Sequence, residues 1–83
     1  MVRWHPFDPG RYSFEFNIEE LAAHGVTPQE AAEVFWNGIE VRRNKVHRDR
    51  YQVDGRTDSG RALKLIVQAK SSRVLRVITG WSI

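Results

Sequence analysis

Cysteine is absent from this 83-residue chain, which removes disulfide staples, thiolate nucleophiles and cysteine metal ligands together. The same absence fits a cytoplasmic protein, since thiols there stay reduced and disulfides are rare. Long apolar runs are missing too. None approaches the roughly 20 residues that a membrane helix needs, so no membrane partner is expected. Residues 1–10 carry Trp4, Pro6, Asp8 and Pro9 without an apolar stretch, so they do not read as a signal peptide. There is no glycine-rich phosphate loop and no Gly-x-Ser-x-Gly elbow. His5, His24 and His47 stand apart, with neither His-x-His nor His-Glu-x-x-His spacing. Neither a metal site nor a cofactor is therefore expected.

What is present is unevenly distributed. The net charge of +3 hides a split between the two halves. Residues 1–40 hold two arginines against seven carboxylates, a net −5; residues 41–83 hold eleven Lys or Arg against three aspartates, a net +8. Such a dipole either neutralises itself across the fold or leaves one face suited to a polyanion. Arginine outnumbers lysine ten to three. Its planar fork of donors matches phosphate oxygens, which favours a nucleic-acid backbone over a generic acidic surface.

The length suits one domain, 1–83, with residues 1–12 as an extended lead-in, because Pro6 and Pro9 bias their neighbours away from helix. Ser13–Phe16 reads as a weak strand. Asn17 then caps a short helix, Ile18–Ala23, which Gly25 ends. Thr27-Pro28-Gln29-Glu30 is a capping box with Pro at the first helical position, and Ala31, Val34 and Phe35 form the apolar stripe of a second helix. Asn37-Gly38 closes it. Ile39–Val41 and Val46–Val53 read as strands, and Asp54-Gly55 to Asp58-Ser59-Gly60 as a turn. Ala62–Ala69 alternates, with Leu63, Leu65 and Val67 on one face and Lys64, Ile66 and Gln68 on the other. Lys70–Arg73 connects to Val74–Trp81, where strict alternation sets Leu75, Val77, Thr79 and Trp81 against Val74, Arg76, Ile78 and Gly80. The pattern predicts an α+β domain: two N-terminal helices on one face of a three- or four-stranded antiparallel sheet.

On the strands and their connections lie Arg48, Arg50, Arg56, Arg61, Lys64, Arg73 and Arg76. Tyr51 and Trp81 are interleaved among them, placed either to stack on bases or to pack. Metal-free cleavage of RNA needs a base for the 2′-hydroxyl proton, cations for the phosphorane charge and an acid for the leaving oxygen. His24 suits the acid or base role near neutral pH, and it also suits a structural place at a helix C-terminus. Arg50, Arg56, Arg61 and Arg76 supply the cations.

The run His24-Gly25-Val26-Thr27, with Glu30-Ala31 and Val34-Phe35, resembles the helix signature of the BrnT-type ribonuclease toxins. Arg50-Tyr51, Gly55-Arg56-Thr57, Gly60-Arg61, Leu63 and the strand Arg76-Val77-Ile78-Thr79 extend the likeness over residues 14–81. The resemblance implies a RelE/ParE-like fold, RNA as the partner, and a small DNA-binding antitoxin that occludes the toxin. Carried over position by position, it implies His24, Arg50, Arg61, Arg76 and Thr79 as catalytic residues. Arg48, Arg56, Lys64, Arg73, Tyr51 and Trp81 are the nucleic-acid-binding candidates. Ala23 stands where the family often has Lys, and Thr79-Gly80-Trp81 where it has Ser-Ala-Arg. A non-catalytic module that binds RNA or a protein partner is therefore the alternative, and a homodimer through the apolar C-terminal strand is a third reading.

Overall fold

A computed structural model of the chain describes residues 12–44 and 46–83. The lead-in expected over residues 1–12 lies outside them except for Tyr12, which packs against the core. The element order is β1 (Ser13–Phe16), α1 (Ile18–Ala23), α2 (Pro28–Trp36), β2 (Glu40–Arg43), β3 (Arg50–Arg56), β4 (Ala62–Ala69) and β5 (Val74–Ser82).

Both helices begin and end where local chemistry dictates. Asn17 accepts a hydrogen bond from the Glu20 amide at 3.2 Å, and Gly25, at φ 71°, turns the chain out of α1. The Gly25 amide donates to Ala22 O and the Val26 amide to Leu21 O, so two carbonyls left over at the helix end are satisfied. A six-residue helix is marginal alone; α1 is held by Leu21, which is fully buried. The capping box at α2 forms as expected. Thr27 Oγ1 accepts from the Glu30 amide, and Glu30 Oε1 accepts from the Thr27 amide, both at 3.1 Å. Ala31, Val34 and Phe35 turn inward, and the Phe35 ring meets Phe14 with centroids 4.8 Å apart.

The α+β class holds, but the sheet is larger than expected and mixed. Five strands run in the order β1-β5-β4-β3-β2, and β1 lies parallel to β5 while every other pairing is antiparallel. The weak first strand thus becomes an edge partner of the last, far along the chain. Over Val74–Val77, β5 is paired on both sides, so a homodimer through β5 itself has, among the described residues, the outer edge beyond Val77 to use. Helices cover one face. There Leu63, Leu65, Val67, Leu75, Val77, Val53 and Val41 close over Leu21, Val34 and Phe35. Fully burying one such aliphatic chain is worth about 1.5–3 kcal/mol.

Three local expectations change. Val46–Val53 is not one strand: Asn44 Oδ1 accepts from the Val46 and His47 amides at 2.8 and 2.9 Å, which makes a side-chain-closed turn before β3. Gly55 is not in a turn. Strand β3 runs on to Arg56, and the chain reverses over residues 57–61. A Cβ at Gly55 would lie 2.8 Å from Val34 Cγ1, so the glycine is there to let α2 approach the sheet.

The third change matters most for the surface. Ile66 pairs with Thr79 but Val67 pairs with Val77, so Ile78 is an extra residue, a bulge. Beyond it the two faces of β5 exchange. Gly80 joins Leu75 and Val77 on the helix side, where a Cβ would stand 2.5 Å from Leu65 Cδ2. Thr79 and Trp81 swing to the open side with Arg76. Replacing Gly80 by Ala should cost about 1–3 kcal/mol through overpacking, read as a fall in the urea midpoint with an unchanged m-value.

Candidate nucleic-acid interface

The open face of the sheet is a ladder of rows set by the strand registers. The first row crosses from Glu15 through Arg76 and Gln68 to Arg50. Next come Thr79, Ile66, Gln52 and Arg42, and then Trp81, Lys64, Asp54 and Glu40. Ala62 and Arg56 follow. Rows two residues apart along a strand are roughly 7 Å apart, and Arg50 and Arg76, two strands apart, have backbones about 10 Å apart. Five of the expected residues therefore share one surface: Arg50, Arg56, Lys64, Arg76 and Trp81. Thr79 belongs to it because of the bulge.

Arg42, Arg50, Arg56, Lys64 and Arg76 give this face its sign against Glu15, Glu40 and Asp54. Glu15 is engaged by Lys70 Nζ at 3.0 Å, and Asp54 accepts from Gln52 Nε2 at 3.4 Å. Arg42, Lys64 and Arg76 make no side-chain hydrogen bond or ion pair with a described residue. Arg50 Nε is buried and likewise has no partner. A buried N–H without an acceptor is uncommon, and here it belongs to a cation on the charged face. Arg48 and Arg73 are exposed in the β2–β3 and β4–β5 connections, beyond the row of Arg50 and Arg76. In the same connection, Asp49 accepts from Gln68 Nε2 at 2.8 Å, and that hydrogen bond lowers its carboxyl pKa, with the nearby Arg50 and His47 adding to the effect.

Two expected residues sit elsewhere. Tyr51 is opposite Val67 on the helix side, where its ring packs on the core and its hydroxyl accepts from Arg43 Nη2 at 3.1 Å. Arg61 follows the β3–β4 turn, also on the helix side. Its Nη1 donates to Gly25 O at 2.8 Å and to both Glu30 carboxylate oxygens at 3.2 and 3.0 Å. This placement makes Arg61 a tie between the β3–β4 turn and the α1–α2 junction.

His24 ends α1 beside the outer edge of β5. Its Nε2 lies 3.3 Å from Glu20 Oε1, and the same oxygen accepts from Thr79 Oγ1 at 3.3 Å. The His24 ring is 6.2 Å from the Trp81 ring, centroid to centroid, at an interplanar angle of 56°. The helix thus delivers His24 and Glu20 to the rim of the basic face. Sequence reasoning did not single out Glu20. The available signal was its spacing of four residues before His24 on a helix, which puts the two side chains one above the other.

No protein-family model matches the chain, and no curated protein or solved structure matches it.

Glu30 carries the pH dependence of this region. The Thr27 amide first, and the Arg61 guanidinium second, hold its carboxyl below the ordinary value of 4.5. A carboxyl depressed in the folded state stabilises the fold above its unfolded pKa, and that contribution disappears as pH falls through the folded one. Urea unfolding should therefore show stability falling below about pH 4.5, with Glu30→Gln flattening that part of the curve. Arg61→Ala should lower stability by roughly 1–2 kcal/mol near neutral pH, seen in the same titration.

Proposed function

We propose that the chain is a BrnT-like toxin of a toxin–antitoxin module, which binds single-stranded RNA on the open face of its sheet and cleaves it by metal-independent transesterification. The observation that carries this reading is the β5 bulge, which gathers Thr79 and Trp81 onto the face of Arg76, Arg50, Arg42 and Lys64. Phosphates would lie along the arginine row, where Arg42 and Arg76 have no side-chain partner among the described residues. Trp81, flanked by Lys64 across the strand pair and by His24 at the rim, offers a ring for a base to stack on. His24 then takes the proton of a 2′-hydroxyl, and the arginines meet the charge that develops on phosphorus. The expected protein partner is a small DNA-binding antitoxin that covers this face.

A non-catalytic RNA-binding module is the second reading. Arg61 favours it, because its guanidinium is committed to Glu30 and Gly25 instead of the open face.

Purified protein incubated in EDTA with a labelled single-stranded RNA separates the two, because only the toxin reading expects cleavage. Gel shifts across a salt series should show affinity falling steeply with salt. Arg76→Ala or Arg50→Ala should weaken binding and lower the salt slope by roughly 0.7 each. A salt-independent affinity would rule out the basic face as the contact.

A further inference from the structure

Glu20 is an unassigned carboxylate in contact with two residues of the proposed site at once. A single oxygen, Oε1, stands 3.3 Å from His24 Nε2 and 3.3 Å from Thr79 Oγ1. The carboxylate is half exposed, and its backbone amide is separately occupied in capping α1 through Asn17. Helix capping therefore does not use the side chain. The contact with Thr79 also crosses from α1 to β5, so it registers the helix against the strand that carries Arg76 and Trp81.

We propose that Glu20 is a positioning residue that fixes the tautomer and the aim of His24; the proposal rests on the toxin reading above. The 3.3 Å approach is an ion-pair contact without hydrogen-bond alignment in the free protein; once the two groups align, the carboxylate favours the proton on Nε2. The lone pair is then on Nδ1, which is the nitrogen left to act as base. Contacts of this kind are often long in the free protein and tighten when substrate is bound. The backbone next to His24 is also tied. Gly25, the next residue, has its carbonyl bonded by Arg61, and Arg61 is bonded in turn by Glu30. Trp81 stands on the third side, with Lys64 across the strand pair.

The chemical step balances without another reactant. Nδ1 takes the proton from the 2′-hydroxyl as the 2′-oxygen forms a bond to the adjacent phosphorus. The bond from phosphorus to the 5′-oxygen breaks, and its electron pair leaves on that oxygen, which takes a proton from solvent. Nδ1 returns its proton to solvent. The products are a 2′,3′-cyclic phosphate and a 5′-hydroxyl.

The test compares wild type, Glu20→Gln, His24→Ala, the double variant and the control Glu19→Gln on one labelled RNA in EDTA. Glu19 is an exposed neighbour on the same helix. The expected result is a kcat lower by roughly 10- to 100-fold in Glu20→Gln with KM nearly unchanged, and by about 10²–10⁴-fold in His24→Ala. The double variant should be no slower than His24→Ala, because Glu20 acts only through that ring. Glu19→Gln should match wild type. A general packing role would instead lower the unfolding midpoint of Glu20→Gln and add to the His24→Ala loss, and that result overturns the proposal. Wild-type kcat in Glu20→Gln overturns it alone, leaving the toxin reading in place. No cleavage by wild type overturns both.

Discussion

The Glu30 carboxylate is the joint on which this small domain turns. It closes the capping box at the start of α2 and, with the same oxygens, receives the Arg61 guanidinium from the far end of the sheet. Arg61 passes the connection on to Gly25, the residue that ends α1. Two short helices and the β3–β4 turn are thereby fixed to one another. A second clasp lies further along α2: Glu33 Oε1 accepts from the Asp58 amide, and Asn37 Nδ2 donates to Asp58 and to Arg56 O. With both clasps made, α2 cannot roll on the sheet, and the closeness permitted by Gly55 is maintained. His24 is held in place by this joint, since its neighbour Gly25 is one of the groups tied.

Much of this was legible locally. The boundaries of α2 follow from Thr27, Pro28, Glu30 and Gly38, and those of β4 from uninterrupted alternation, because caps and period-two patterning act over a few residues. Most of the failures involve contacts between distant segments; the one at Asn44 is local. Nothing near Phe14 signals that its strand will lie parallel to β5. Gly55 beside Asp54 has turn chemistry, and only the approach of Val34 shows why a strand needs it. Asn44 takes Val46 out of a strand through its own side chain. The bulge at Ile78 has no composition mark, yet it decides which side of the sheet Thr79 and Trp81 occupy. Tyr51 was placed between stacking and packing by sequence, and its partner across the ladder, Val67, puts it in the core. By composition Arg61 is one more cation of the basic half, and its acceptors, Gly25 O and Glu30, lie far from it in sequence.

The charge split along the chain becomes a split in space. The carboxylates Glu19, Glu20, Glu30 and Glu33 ride on the helices, while Arg42, Arg50, Lys64 and Arg76 face the other way across the sheet. Such a distribution orients an approaching polyanion before contact, toward one face and away from the other. Among the helix carboxylates, Glu20 is the one that reaches β5, through Thr79.

The parallel pairing of β1 with β5 has a consequence for how the chain is made. Ser13–Phe16 precedes β2, β3 and β4 in the chain, and the strand it must lie beside follows them. Until Val74–Ser82 is in place, β4 presents an open edge, α1 lacks the strand it packs against, and the rim of His24 and Thr79 does not exist. Docking of β5 joins β1 to the rest of the sheet and brings the groups of the rim together, and a nascent chain stalled before it lacks them.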